Sequence, residues 1–191
     1  MPVGSIEVIA GCMFSGKTEE LIREIRRALI AKQKVLVFDH TLDETRYGNG
    51  TVNTHSGLSV ETFSVSNPSQ ILQIVKQEQP DVVAIDEAQF FKNLFVACEQ
   101  LASQGIRVII AGLNQDFRGE PFEEMKELMA RADHIRMLTA ICNNCGAQAT
   151  KTQRFIDDKP AHYRSKRIEI GGTDKYQARC RACHDVPGKP V

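Results

Sequence analysis

The chain has 191 residues, 42% hydrophobic and 25% charged, enough to bury about 70% of the surface it exposes when unfolded, which excludes disorder as its dominant state. Its 24 basic residues balance its 24 acidic ones, so no global field draws it to nucleic acid or an anionic membrane, and any anionic ligand must be met locally. No apolar run reaches membrane-spanning length, and the first residues, MPVGSIEVIAG, lack the regions of a signal peptide. A cytoplasmic location is expected, with neither membrane nor nucleic acid as partner.

Ile6–Ala10 is a short apolar run followed by GCMFSGKT and then by Leu21, Ile22, Ile25 and Leu29 at helical spacing. Glu19 and Glu20 fall in the first turn of that helix, with Arg26, Arg27 and Lys32 near its end, as the helix dipole favours. The order is strand, glycine loop, helix. Lys34–Phe38, Asp81–Asp86 and Ile106–Gly112 are β-rich and apolar on both faces, the pattern of parallel strands covered on both sides. Helices are expected after Asn67-Pro68, along Leu94, Phe95, Cys98 and Leu101, and over Phe122–Ala132. Phe90, Phe91 and Phe95, at near-helical spacing, are expected in the core. Alternating strands and helices give an α/β fold, a parallel sheet with helices on both faces. Thr41–Ser59 and the polar stretch between two CxxC pairs break the rhythm and read as long loops. Two domains are expected, 1–140 binding nucleotide and 141–191 built around cysteines.

Gly11, Cys12, Met13, Phe14, Ser15, Gly16, Lys17 and Thr18 match G-x-x-x-x-G-K-[ST]. The glycines let the backbone curl so that N–H groups point inward, an anion nest at a helix N-terminus. Lys17 would face the β- and γ-phosphates of ATP, and the Thr18 hydroxyl Mg²⁺. Val82–Ile85 leads into Asp86-Glu87, with Asp86 a second candidate on the magnesium side and Glu87 a candidate base for a hydroxyl or a water. These residues imply nucleotide chemistry without naming the acceptor.

Of six cysteines, four form Cys142-x-x-Cys145 and Cys180-x-x-Cys183. In a reducing compartment such pairs read as a tetrahedral, structural Zn²⁺ site. The 34 residues between them exceed the 15–20 of a simple ribbon, so zinc is expected to pin the base of a long loop. His184 follows Cys183 and is an alternative ligand, though the matched spacing favours four cysteines. Cys12, inside the glycine loop, reads equally as a space-filler and as a reactive thiol.

Together these residues resemble the type II thymidine kinases, the cytosolic deoxythymidine kinases of bacteria and animals. The resemblance rests on GCMFSGKT at Gly11–Thr18, DEAQF at Asp86–Phe90, AGLNQDFRGEPF at Ala111–Phe122, TKTQR at Thr150–Arg154, GGTDKY at Gly171–Tyr176 and both cysteine pairs. It spans essentially the whole chain. It implies a P-loop (RecA-like) fold with a small C-terminal zinc-binding domain carrying a lasso loop, and transfer of the ATP γ-phosphate to the 5′-hydroxyl of thymidine in nucleotide salvage. Glu87 would be the catalytic base, with Gln89 among the nucleotide-binding residues. Phe117 would stack on thymine, and Met13, Leu113, Thr152 and Tyr176 would enclose its 5-methyl group. Ile168, Glu169, Ile170, Gly171, Gly172 and Thr173 would form the lasso over the base. A homotetramer and feedback inhibition by dTTP are also implied.

The family's Asp-Thr-Arg-Tyr segment corresponds to Glu44-Thr45-Arg46-Tyr47, making Arg46 a candidate phosphate or sugar contact. Arg118 and Arg154 could reach phosphates or subunit partners and stay unassigned. The alternative from another class is a P-loop ATPase whose zinc ribbon grips nucleic acid through Lys159, Arg164, Lys166 and Arg167; the neutral total opposes it.

Overall fold

The computed structural model describes residues 4–43, 51–53, 59–169 and 171–190. The main body runs β1 (Ser5–Gly11), α1 (Lys17–Ile30), β2 (Val35–His40), β3 (Thr51–Asn53), β4 (Ser59–Val65), α2 (Pro68–Glu78), β5 (Val82–Ile85), α3 (Leu94–Ser103), β6 (Arg107–Leu113), α4 (Glu123–Arg131) and β7 (His134–Leu138). Its seven strands form one sheet in the order β3-β4-β2-β5-β6-β1-β7. All neighbours pair in parallel except β3 and β4.

Both faces of the sheet are covered, and β1 shows why its sequence reads as continuously apolar. Ile6, Val8 and Ala10 pack with Ile71 and Val75 of α2, Leu94, Cys98 and Leu101 of α3, and Met125 and Leu128 of α4. Ile9 points the other way, against Leu21, Ile25 and Ala28 of α1. Fully burying a side chain such as Leu21 or Ile25 contributes roughly 1.5–3 kcal/mol. Helix starts are set locally. Asn67 accepts from the Gln70 N–H at 3.3 Å with Pro68 in the first turn. The N-terminus of α3 lacks a side-chain cap of its own, and Glu124 of α4 accepts the Phe95 N–H at 2.8 Å. Burial pushes the Glu124 carboxyl above its ordinary pKa against these backbone bonds.

From Ala140 onward the chain forms two small sheets, β8 (Ala140–Ile141) with β9 (Gln148–Ala149), and β10 (Lys151–Ile156) between β11 (Lys159–Pro160) and β12 (Tyr176–Arg179). The stretch between the cysteine pairs, expected as one long loop, therefore contains four strands. Its buried residues explain the misreading: Lys151, Thr152, Gln153 and Arg154 are buried in β10, so no apolar alternation marks the strand. Thr41–Ser59 likewise contributes β3, while 44–50 and 54–58, Arg46 among them, lie outside the described residues. A third apolar cluster, Cys12 with Ala140, Cys142, Ala149 and Ala178, joins the glycine loop to this C-terminal part.

Candidate active site

The carboxyl ends of β1, β5 and β6 lie side by side, where parallel α/β sheets bind ligands. At the end of β1 the chain turns at Gly11, where a Cβ would stand 2.6 Å from both the Leu138 carbonyl oxygen and Ser15 Oγ. Gly16 takes a φ of 81°, the left-handed conformation that glycine adopts at little cost. Ser15 Oγ and Lys17 Nζ both donate to the Cys12 carbonyl, at 2.8 and 2.9 Å. Because α1 begins without a side-chain cap, its first N–H groups are available to an anion.

At the end of β5, Asp86 is buried and links two elements. Its Oδ2 accepts from Thr18 Oγ1 at 3.0 Å and its Oδ1 from the Glu87 N–H at 2.8 Å. Glu87 sits at φ 51° and ψ 38°, a left-handed backbone that costs a non-glycine residue on the order of 1–3 kcal/mol and marks functional sites. Gln89 Nε2 donates to Glu87 Oε2 at 2.5 Å, while its Oε1 accepts the Leu113 N–H at 2.9 Å. Gln89 thus holds the Glu87 carboxylate against the end of β6.

These ends open into a cleft of about 960 Å³. Met13, Lys17, Thr18 and Glu87 line it together with Leu113, Phe117, Thr152 and Tyr176. The Met13 N–H donates to Thr152 Oγ1 at 3.0 Å, tying the glycine loop to β10. Segment 163–169 is fastened to the loop after β6: Arg118 Nη2 donates to the Ser165 carbonyl at 2.8 Å, and Arg167 Nε to buried Asp116 Oδ2 at 2.7 Å. The Tyr176 hydroxyl donates to the Glu169 carbonyl at 2.6 Å. Burial raises the Tyr176 pKa, with the Arg154 charge acting against it.

The sulfur atoms of Cys142, Cys145, Cys180 and Cys183 all lie within 4.8 Å of one another, Cys145 and Cys180 at 3.7 Å. Four thiolates at Zn–S distances of about 2.3 Å in a tetrahedron stand about 3.8 Å apart, so the set fits a structural zinc. Burial opposes the Cys142 thiolate, but backbone N–H groups of Cys180, Asn144 and Cys145 outweigh it and bring the pKa to about 6. His184 is turned away, its Nε2 at 2.8 Å from the Phe117 carbonyl. Cys12 is buried, its Sγ 3.4 Å from the Ala149 carbonyl, and burial pushes its thiol up. That makes it a space-filler, since reactivity needs thiolate.

A thymidine kinase family model matches residues 4–184. The chain belongs to the thymidine kinase family. The thymidine kinase of Coprothermobacter proteolyticus is 50% identical to it over 189 residues, 98% of this chain and 94% of that protein. Membership in this kinase family makes ATP the phosphate donor, and among the described residues no helix is long and apolar enough to cross a membrane.

Within the kinase cleft lie Met13, Phe14, Gly16, Lys17, Thr18, Glu87, Leu113, Phe117, Thr152, Ile168, Glu169, Gly171, Gly172 and Tyr176 of the residues expected from sequence. Gly11, Cys12, Ser15, Asp86, Gln89 and Thr173 are not on its wall, and Ile170 lies outside the described residues. The cleft adds Glu19, Ile22, Leu42, Phe90, Gln115, Asp116, Phe122 and Arg167. Phe90 corrects an expectation: Phe91 is core and Phe95 packs against it, but Phe90 is only half-buried and faces the cleft. The short turn after Glu87 ends the helical spacing that suggested otherwise. Arg167, counted with a basic group suited to nucleic acid, is engaged by Asp116.

Proposed function

We propose that this chain phosphorylates thymidine, passing the γ-phosphate of ATP to its 5′-hydroxyl to give dTMP and ADP. One observation carries the reading: Lys17 and Thr18 of the glycine loop, the Glu87 carboxylate and the Phe117 wall line a single cleft. Gly11–Thr18 cradle the donor phosphates with backbone N–H groups, and Lys17 balances charge on the transferred group. Thr18 and Asp86, already joined at 3.0 Å, would hold Mg²⁺, which supplies further positive charge to the phosphates. Glu87 orients the 5′-hydroxyl and takes its proton as the O–P bond forms and the bond to ADP breaks.

Thymine stacks on Phe117, with Met13, Leu113, Thr152 and Tyr176 around its 5-methyl group. Ile168–Thr173 reads the base edge with backbone groups, and 141–191, pinned by zinc on its four cysteines, acts as the domain that carries this lid over the nucleotide domain, 1–140. Inhibition by dTTP, a cytoplasmic location in nucleotide salvage and a homotetramer belong to the same reading. Exposed Ile135 and Met137 on edge strand β7, with exposed Ile141 on β8, support the last of these.

The deciding experiment follows labelled γ-phosphate from ATP onto a panel of nucleosides, with a control lacking nucleoside. Rapid labelling of thymidine, little on deoxycytidine or purine nucleosides and slow background hydrolysis are expected. Hydrolysis indifferent to every nucleoside and stimulated by single-stranded DNA would instead establish the ATPase alternative.

A further inference from the structure

Arg154 is 1% exposed and heads the fully buried side chains by volume. A buried guanidinium ordinarily requires a close carboxylate and acceptors for its five N–H donors. Arg154 has neither in full. Its Nη1 donates to the Lys166 carbonyl at 2.5 Å, the Glu169 carboxylate stands 4.0 Å away, and Nε and Nη2 have no hydrogen-bond partner. Its remaining compensation is the Tyr176 side chain, with which it interacts, and an aromatic face: the guanidinium carbon lies 4.0 Å from the centroid of the Phe117 ring, well inside the range of a cation–π contact, which strengthens when water is excluded.

These partners come from separate segments. Arg154 stands on β10, Phe117 on the loop after β6, and Lys166 and Glu169 on the lid segment, where Glu169 also meets Tyr176 and Lys175. The carbonyl and the carboxylate belong to the lid, and Tyr176 of β12, which also interacts with the guanidinium, is itself bonded to the lid at the Glu169 carbonyl. Were the lid to lift, the charge would keep Phe117 and Tyr176 and lose its carbonyl and its carboxylate. Desolvation of the charge therefore favours the closed lid, and the same contact fixes the ring that faces the cleft.

We propose that Arg154 is a positioning residue for the nucleoside: it sets the plane of Phe117 and latches segment 166–169 over the base. This rests on the reading of the cleft as a thymidine site. The latch raises affinity for nucleoside through lid closure and leaves the phosphate donor, held by the glycine loop and α1, untouched.

The test measures KM for thymidine and for ATP, and kcat, in wild type, Arg154→Lys, Arg154→Met and Glu169→Gln, together with hydrogen exchange in peptides covering 163–169 with and without thymidine. In Arg154→Met, KM for thymidine is expected to rise about 10- to 30-fold, the range of a desolvated cation–π contact. kcat and KM for ATP should stay within about threefold, and thymidine should protect 163–169 less than in wild type, Arg118 and Arg167 still fastening the segment. Arg154→Lys, which keeps the charge without the planar fork, should fall between Met and wild type. Glu169→Gln should weaken thymidine about two- to fivefold alone, as expected for a partly exposed ion pair, and not at all on top of Arg154→Met.

Thymidine KM and protection unchanged in Arg154→Lys and Glu169→Gln would overturn the latch, even if Arg154→Met fails to fold. So would parallel losses in both KM values and kcat, which signify general damage. A wild-type protein that does not phosphorylate thymidine would overturn the thymidine reading and the latch together; normal wild-type turnover with unaffected variants overturns the latch alone.

Discussion

Glu87 occupies a left-handed backbone position that an ordinary glutamate avoids, and what stabilises it there is visible on both sides. Its N–H donates to Asp86 and its carboxylate accepts from Gln89, whose other end is fixed on β6. The result is a carboxylate held in place at the cleft, where a general base would have to stand. Glu87→Gln preserves shape and removes basicity. It is expected to bind ATP with near wild-type affinity and to lower the rate of phosphoryl transfer roughly 10²- to 10⁴-fold, the usual contribution of a positioned base. Single-turnover transfer, with ATP affinity measured separately, checks this; a transfer rate within threefold of wild type removes Glu87 from the mechanism.

At the scale of an element, α1 does two jobs with two faces. Leu21, Ile25 and Ala28 pack on the sheet, while Glu20 and Glu24 reach strands that flank β1. Glu24 Oε2 accepts from Arg107 of β6 at 2.9 Å, and its Oε1 from Arg136 of β7 at 2.8 Å. Hydrogen bonding to Arg23 is the largest influence on Glu20 and, with Arg136, brings its pKa to about 2 despite some burial. Burial is the largest influence on Glu24 and works upward, yet the two arginines together leave it below its ordinary value. Both carboxyls are more acidic folded than unfolded, so their stabilisation is complete above an unfolded pKa of about 4.3 and is lost as pH falls through their lowered folded values, about 2 for Glu20. Glu24→Gln is therefore expected to unfold at lower temperature than wild type near pH 7, with the two midpoints converging as the pH falls below the unfolded value of about 4.3. A gap as wide at pH 3 as at pH 7 would exclude this network as its source. From sequence, Glu19 and Glu20 read only as residues favoured by the helix dipole. The cross-strand role could not be read, because Arg107 and Arg136 stand 83 and 112 residues from Glu24 and no periodicity links them.

Across the whole molecule, legibility follows where the burial is apolar. β1, β2, β5 and β6 are central strands buried on both faces, so their runs of Val, Ile and Ala announce them, and the four helices follow from apolar stripes and from Asn67-Pro68. β10 stayed hidden because it buries Lys151, Thr152, Gln153 and Arg154, whose burial makes sense only once the cleft, Phe117 and Gln115 exist beside them. The glycine loop and Asp86-Glu87 were legible as fixed spacings, whereas Asp116 and Arg167 become a pair only through folding. The same assembly makes the cysteine cluster more than a remote staple. Cys12 of the glycine loop is buried beside Cys142, Ala149 and Ala178, and the Met13 N–H is held by Thr152, so the C-terminal part forms one wall of the phosphate loop. Metal analysis should find about one zinc per chain. Because a structural zinc contributes directly to folding, stripping it with a chelator should first abolish exchange protection in 140–183, then weaken thymidine, and only afterwards weaken ATP, while β1, β5 and β6 remain protected. Exchange followed over chelation, with both affinities measured alongside, resolves that order. Loss of protection across the central sheet at the same moment as at the cysteines would mean that the two parts fold as one cooperative unit, and that the lid has no separate stability for zinc to control.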